Sequence, residues 1–203
     1  MLVIIDYGLG NLASISNMFR KLGERAIISS SVKDIEQANK LILPGVGHFE
    51  TGMSNLRGSG LDQVLKQKVQ SGNTPLLGIC LGMQLLTSHS EEGQVDGLNL
   101  IPAQTKRFQF EASVGLKVPH MGWSDVEPSK HPLFDGVVET PRYYFVHSYY
   151  VRCDSPQDSI ARCDYGIQYD CAIGRGHVMG VQFHPEKSHR FGMQVFKNFL
   201  NNF

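Results

Sequence analysis

The segment Pro75-Leu76-Leu77-Gly78-Ile79-Cys80-Leu81-Gly82 narrows the possible folds more than any other stretch of this chain. It reads as a buried strand that ends in a glycine-flanked turn and feeds directly into a helix. The preceding residues carry the same rhythm. Leu2–Asp6 is a continuous apolar run closed by an acid, and Ala26–Ser29 and Lys40–Leu43 read as further strands. Leu12, Ile15, Phe19 and Leu22 share one helical face, with Asn11 as N-cap and Gly23 as stop. Val32–Ala38 and Leu61–Val69 are also helical, the second ending at Gly72. Strands alternating with helices predict an α/β protein with three α/β/α layers and a central, mostly parallel sheet.

From about Gly97 the spacing shortens. Leu116–Pro119, Tyr143–Cys153, Gln168–Ile173 and Val178–Phe183 read as strands, giving a smaller mixed or antiparallel portion in the C-terminal half. Phe191–Leu200 closes the chain as a helix. Linkers, repeats and low-complexity stretches are absent from the sequence, so residues 1–203 read as one domain, and 41% hydrophobic content suits a full-sized core.

Nineteen basic and nineteen acidic residues cancel, which disfavours nucleic acid or an anionic membrane as partner. No apolar stretch reaches the ~20 residues of a membrane span. The first residues lack a basic lead and read as a strand rather than a signal peptide. Cys80, Cys153, Cys163 and Cys171, without a signal, suggest a reducing cytoplasm. None forms a C-x-x-C pair, which argues against a zinc site or dithiol centre. Neither metal nor cofactor is expected.

Gly78-Ile79-Cys80-Leu81-Gly82 has the form G-x-C-x-G, a thiol version of the nucleophile elbow. The strained turn needs small flanking residues, and the helix N-terminus favours the thiolate. The same turn aims the Leu81 N–H at a developing oxyanion. A lone cysteine is more often structural, but two flanking glycines after an apolar strand reverse that preference. In Val181-Gln182-Phe183-His184-Pro185-Glu186, Pro185 holds His184 extended. Alternation then places His184 and Glu186 on one side, where the carboxylate can orient the ring. Pro44-Gly45-Val46-Gly47-His48-Phe49 follows a strand, at the end where such sheets bind ligands, and its N–H groups offer a second oxyanion donor. Taken alone it would be an ordinary βα turn.

Gly8-Leu9-Gly10-Asn11-Leu12-Ala13 also matches the dinucleotide fingerprint G-x-G-x-x-A. The acid expected ~20 residues on is replaced by Ser29-Ser30-Ser31, though serines and Lys33 suit a phosphorylated cofactor. That rival, a non-catalytic nucleotide-binding domain, leaves Cys80, His184 and Glu186 unexplained. A stand-alone Cys-His-Glu hydrolase of γ-glutamyl or peptide bonds also stays open.

Pro44–Phe49, the elbow followed by Gln84, and Gly180–Ser188 resemble the class I, triad-type glutamine amidotransferases. Ile5–Asn11, Val118–Trp123 and Tyr144–Tyr150 are similar to the glutaminase subunits of imidazole glycerol phosphate synthases. The resemblance runs from the first strand to the last helix. It implies hydrolysis of L-glutamine to glutamate and ammonia through a Cys80 thioester, with His184 and Glu186 completing the triad. It also implies a heterodimer with a (β/α)8-barrel cyclase that makes imidazole glycerol phosphate and aminoimidazole carboxamide ribotide in histidine biosynthesis. Leu81, Val46 and Gly47 would form the oxyanion hole, and Gly45, Gln84, Ser148 and Tyr149 would hold the substrate. Asn11, His120, Trp123 and Lys187 would face the partner, although a lone Trp is equally a core residue.

Overall fold

The computed structural model describes residues 1–71, 74–111, 113 and 115–203. Strands β1 (Leu2–Ile5), β2 (Ala26–Ser29), β3 (Lys40–Leu43) and β4 (Leu76–Ile79) alternate with helices α1 (Leu12–Lys21), α2 (Val32–Gln37), α3 (Phe49–Gly58) and α4 (Leu61–Ser71). After β4 comes α5 (Leu81–Leu85). The C-terminal half holds β5 (His89–Ser90), β6 (Val95–Asp96), β7 (Ala103–Arg107), β8 (His120–Asp125) and β9 (Glu127–Pro128). It continues with β10 (Arg142–His147), β11 (Tyr149–Cys153), β12 (Ser159–Asp164), β13 (Gln168–Arg175), β14 (Val178–Val181) and α6 (His189–Asn202).

The main sheet runs β2-β1-β3-β4-β14-β13-β11-β7-β5-β6, with β12 and β9 alongside. It is parallel from β2 to β14 and antiparallel from β14 to β7. Alternation along the buried strands explains the layering. Leu2 and Ile4 pack with Ile15 and Phe19 of α1 and Phe196 and Phe199 of α6. Val3 and Ile5 join a second core with Ile35, Phe49, Leu56 and Leu65 of α2, α3 and α4. Helices therefore cover both faces. No described helix is long and apolar enough to cross a membrane.

One placement decides where the site forms. Although β14 arrives from the antiparallel half, it lies parallel to β4 with Val181 opposite Ile79. The loops leaving both strands thus emerge at the same, carboxyl, end of the sheet.

Several sequence expectations need correction. Leu116–Pro119 is not a strand; the strand begins at His120, after Pro119, which has no N–H to give a ladder. Tyr143–Cys153 is not one strand but two. It breaks at Ser148, where β10 leaves its two-stranded sheet with β8 and β11 joins β7 in the main sheet. Helix α3 was not anticipated. Its N-cap His48 makes no side-chain cap, and the Phe49 N–H is instead taken by Glu92 Oε2 at 2.8 Å. Asn11 stands at the N-cap of α1 but caps nothing with its side chain. The expected stop at Gly72 lies outside the described residues.

The C-terminal helix is docked closely. A Cβ on Gly192 of α6 would come within 1.8 Å of Pro185 O, in the turn beside His184. Gly58, at the end of α3, would meet nothing within 4 Å. We therefore expect Gly192→Ala to lower the unfolding free energy by about 1–3 kcal/mol. Gly58→Ala should raise it by about 0.5–1 kcal/mol. Urea midpoints for the two variants check this, and equal effects would refute the packing argument.

Candidate active site

Cys80 stands between β4 and α5 with φ 55° and ψ −112°. A residue with a Cβ adopts such backbone only where its surroundings enforce it. Here they do. A Cβ on Gly78 would lie 2.6 Å from Gly82 O, and one on Gly82 would lie 1.8 Å from Leu43 O. The Cys80 N–H is anchored on Val181 O at 2.8 Å. Helix α5 has only 5 residues, so its support for the sulfur comes from its first N–H groups rather than a long dipole.

His184 follows β14, and the neighbouring backbone of Tyr144 fixes it from two directions. Its N–H donates to Tyr144 O at 2.9 Å, and its carbonyl accepts the Ser188 hydroxyl at 2.6 Å. That hydroxyl also accepts the Tyr144 N–H at 3.0 Å. His184 Nδ1 meets Glu186 Oε1 at 2.9 Å, with both side chains almost fully buried. The reason differs from the one read in the sequence. His184 is extended, but Pro185–Lys187 forms a 3-10 turn, so Glu186 returns to the ring by the turn and not by strand alternation.

His184 Nε2 has no aligned hydrogen-bond partner, yet the Cys80 sulfur is close enough to act on it. Burial pulls the ring's pKa down. The sulfur and the Glu186 carboxylate outweigh that and push it up to about 10. Both neighbours favour the charged imidazole. An unaligned Nε2–H suits a group that must move its proton between sulfur and another atom.

Cys80 and His184 share a cavity of about 320 Å³. Val46, Gly47, Leu81, Gln84, Ser148 and Tyr149 also line it. Gly45 is not in the lining. It is buried against the elbow, where a Cβ would lie 2.6 Å from Tyr7 Oη and 2.8 Å from Gly82 N. The Tyr7 hydroxyl donates to Pro44 O at 2.6 Å and so secures this loop. No other backbone group among the described residues takes the Leu81 or Gly47 N–H.

The interface candidates separate. His120 is 1% exposed and stacked between Phe145 and Tyr165, which contradicts a place on the partner-facing surface. Burial pushes its pKa down to about 4, and that of His147 to about 3, so both rings are neutral donor–acceptor links. Ser124 Oγ, His120, Tyr169 Oη, His147 and Tyr149 O form one chain of bonds at 2.8, 3.2, 3.2 and 2.7 Å. It pins the Tyr149 carbonyl at the cavity wall. Trp123 is 40% exposed and stacks on His189, Lys187 lies over the Tyr144 ring, and Asn11 is half-buried.

Sequence reasoning passed over Glu92 and His147, which line the cavity, and Gln182, whose Nε2 lies 3.7 Å from the Cys80 sulfur. For Gln182 a signal existed, since alternation puts it on the side of His184. For Glu92 none did, because it reaches the site from a turn distant in sequence.

The class-I glutamine amidotransferase family model matches residues 3–203. Imidazole glycerol phosphate synthase subunit HisH 2 of Pseudomonas aeruginosa is 51% identical over 201 residues, covering 98% of each chain. The subunit of that name from Methanococcus maripaludis is 50% identical with the same coverage. The chain belongs to the class-I glutamine amidotransferases, in their HisH branch. Among solved structures, a glutamine amidotransferase superposes with a TM-score of 0.76 at 20% identity, covering 98% of this chain and 96% of that one. The PurLQS structure from Thermotoga maritima superposes at 0.72 with 18% identity, covering 99% and 97%. These two likenesses concern the shared fold.

The charged state of His184 is open to direct test. Nitrogen or carbon NMR of the imidazole should titrate near pH 10. A folded pKa above the unfolded ~6.5 means its stabilising contribution is complete below that value. The contribution is lost as pH climbs toward 10. Glu186→Gln removes one raising charge, so the titration should move to lower pH. A midpoint near 6.5 in the unaltered protein would contradict the charged pair.

Proposed function

We propose that this single domain, residues 1–203, is the glutaminase subunit of an imidazole glycerol phosphate synthase. It hydrolyses L-glutamine and passes ammonia to a cyclase subunit built as a (β/α)8 barrel. The observation that carries the reading is the strained Cys80 elbow facing the buried His184–Glu186 pair across a small cavity. Membership of the HisH branch supplies the substrate and the partner.

The geometry accounts for each step. The Cys80 thiolate attacks the side-chain amide carbon of glutamine, and charge collects on the former carbonyl oxygen. The N–H groups of Leu81 and of the Val46–Gly47 loop are the donors for that oxyanion. Protonated His184 gives its Nε2 proton to the amide nitrogen as the C–N bond breaks. Ammonia leaves and a thioester remains. The neutral ring then takes a proton from water as its oxygen attacks the thioester. Glutamate departs, and the thiolate–imidazolium pair is restored. Glu186 keeps the Nδ1 proton in place and offsets the ring's charge throughout.

The substrate's α-amino acid end needs both an acceptor for its ammonium and donors for its carboxylate. Glu92 is the lining carboxylate and suits the ammonium. The backbone at Ser148 and Tyr149 completes that end, and Gln84, whose two N–H bonds go to Tyr149 O and Gln182 Oε1, has only its oxygen left to offer the ammonium. Ammonia is protonated in neutral water and loses its nucleophilicity, so a sheltered route to the partner is expected. Trp123 and Lys187, with Asn11, are proposed to face that partner. The neighbouring exposed Val118 and Met121 flank Pro119, which itself lines the cavity.

Cys80→Ala should abolish glutamine-dependent synthesis by the complex while synthesis from added ammonium salt survives. Loss of both would refute the division of labour. A stand-alone peptide hydrolase would release amine or peptide without the cyclase. Glu92→Gln should raise KM for glutamine roughly tenfold or more through loss of a charged hydrogen bond. Steady-state kinetics on the complex measures this, and an unchanged KM would remove Glu92 from the site.

A further inference from the structure

Gln182 is 0% exposed and plays no part in the mechanism above. Its side chain links the nucleophile to the substrate wall, and the orientation of its carboxamide is dictated by its neighbours. Gln84 Nε2 lies 3.1 Å from Tyr149 O and 2.9 Å from Gln182 Oε1. Tyr149 O, a backbone carbonyl, can only accept, so Gln84 must present its nitrogen there. Both Gln84 hydrogens are then committed, one to Tyr149 and one to Gln182. Gln182 must therefore turn its oxygen toward Gln84, which leaves its Nε2 facing the Cys80 sulfur at 3.7 Å. The Tyr149 carbonyl is itself held by His147 Nδ1 at 2.7 Å, so the whole orientation is anchored.

We propose that Gln182 is a catalytic residue of this site, donating a hydrogen bond that stabilises the Cys80 thiolate and fixes the direction of its sulfur. The inference rests on the reading of Cys80 as the nucleophile. A buried amide N–H without an acceptor is costly, and the sulfur is the acceptor on offer. A thiol accepts weakly, whereas a thiolate accepts a charge-assisted bond. The bond is therefore strongest when the sulfur carries charge, before attack and on expulsion of the sulfur from the second tetrahedral intermediate. His184 also stabilises the thiolate, but it must give up its proton during turnover. Gln182 does not titrate, so its N–H is available each time the sulfur carries charge.

The test is the alkylation rate of Cys80 by iodoacetamide in the full chain, at pH 6.5 and at pH 10. Gln182→Met keeps the approximate volume and loses the donor. Labelling at pH 6.5 should fall roughly tenfold or more, while labelling at pH 10, where even an ordinary free thiol of pKa ~8.5 is ionised, should change little. Gln182→Glu keeps the acceptor for Gln84 and places an oxygen against the sulfur, so it should lose more than Gln182→Met at pH 6.5. Either variant decides the matter if the other does not fold. An unchanged rate, or an equal loss at both pH values as mere space-filling would give, overturns the proposal. The underlying reading fails separately. In that case Cys80 of the unaltered chain would label at pH 6.5 no faster than free cysteine in solution.

Discussion

The parallel pairing of β4 with β14 is the contact on which the rest of the site depends. It sets Val181 opposite Ile79 and ties the Cys80 N–H to the Val181 carbonyl. One residue past β4 stands the nucleophile, and three past β14 stands the histidine. Were β14 paired in any other register, Cys80 and His184 would not face one cavity. The close approach also requires missing side chains. A Cβ on Gly180 would lie 2.6 Å from Met83 Cγ, so the first turn of α5 can pack on β14 only over a glycine.

Around that seam the protein arranges electrostatics by burial. Of His120, His147 and His184, only the last has charged neighbours that favour its protonated form. His184 has a sulfur and a carboxylate beside it, which together overcome its desolvation. His120 and His147 have neutral partners, so burial keeps them neutral. They stiffen the Tyr149 wall through hydrogen bonds, while His184 carries the proton. A single residue type thus serves two roles, according to whether a charge lies within reach.

The carboxylates divide in a similar way. Glu186 is buried and spends one oxygen on the ring. Glu92 uses Oε2 to cap the start of α3 and still lines the cavity. The start of α3, and with it the position of the Val46–Gly47 loop, is consequently coupled to the residue proposed to meet the substrate's ammonium.

Alternation and glycine placement are local properties, and what depends on them was legible in the sequence. The continuous apolar runs gave the parallel half of the sheet. Gly78 and Gly82 marked the elbow, and Pro185 with Glu186 singled out one histidine of eight. Bonds between residues far apart in the chain were not legible. The cap of α3 spans 43 positions, the Gln84–Gln182 bond 98 and the Gln182–Cys80 contact 102. No periodicity encodes such partners, so the burial of His120, the break at Ser148 and the direction of the Gln182 amide were decided by tertiary packing. The residue types announced a thiol nucleophile and its base. Only the folded sheet, by bringing the carboxyl ends of two distant strands side by side, determined which side chains surround the sulfur.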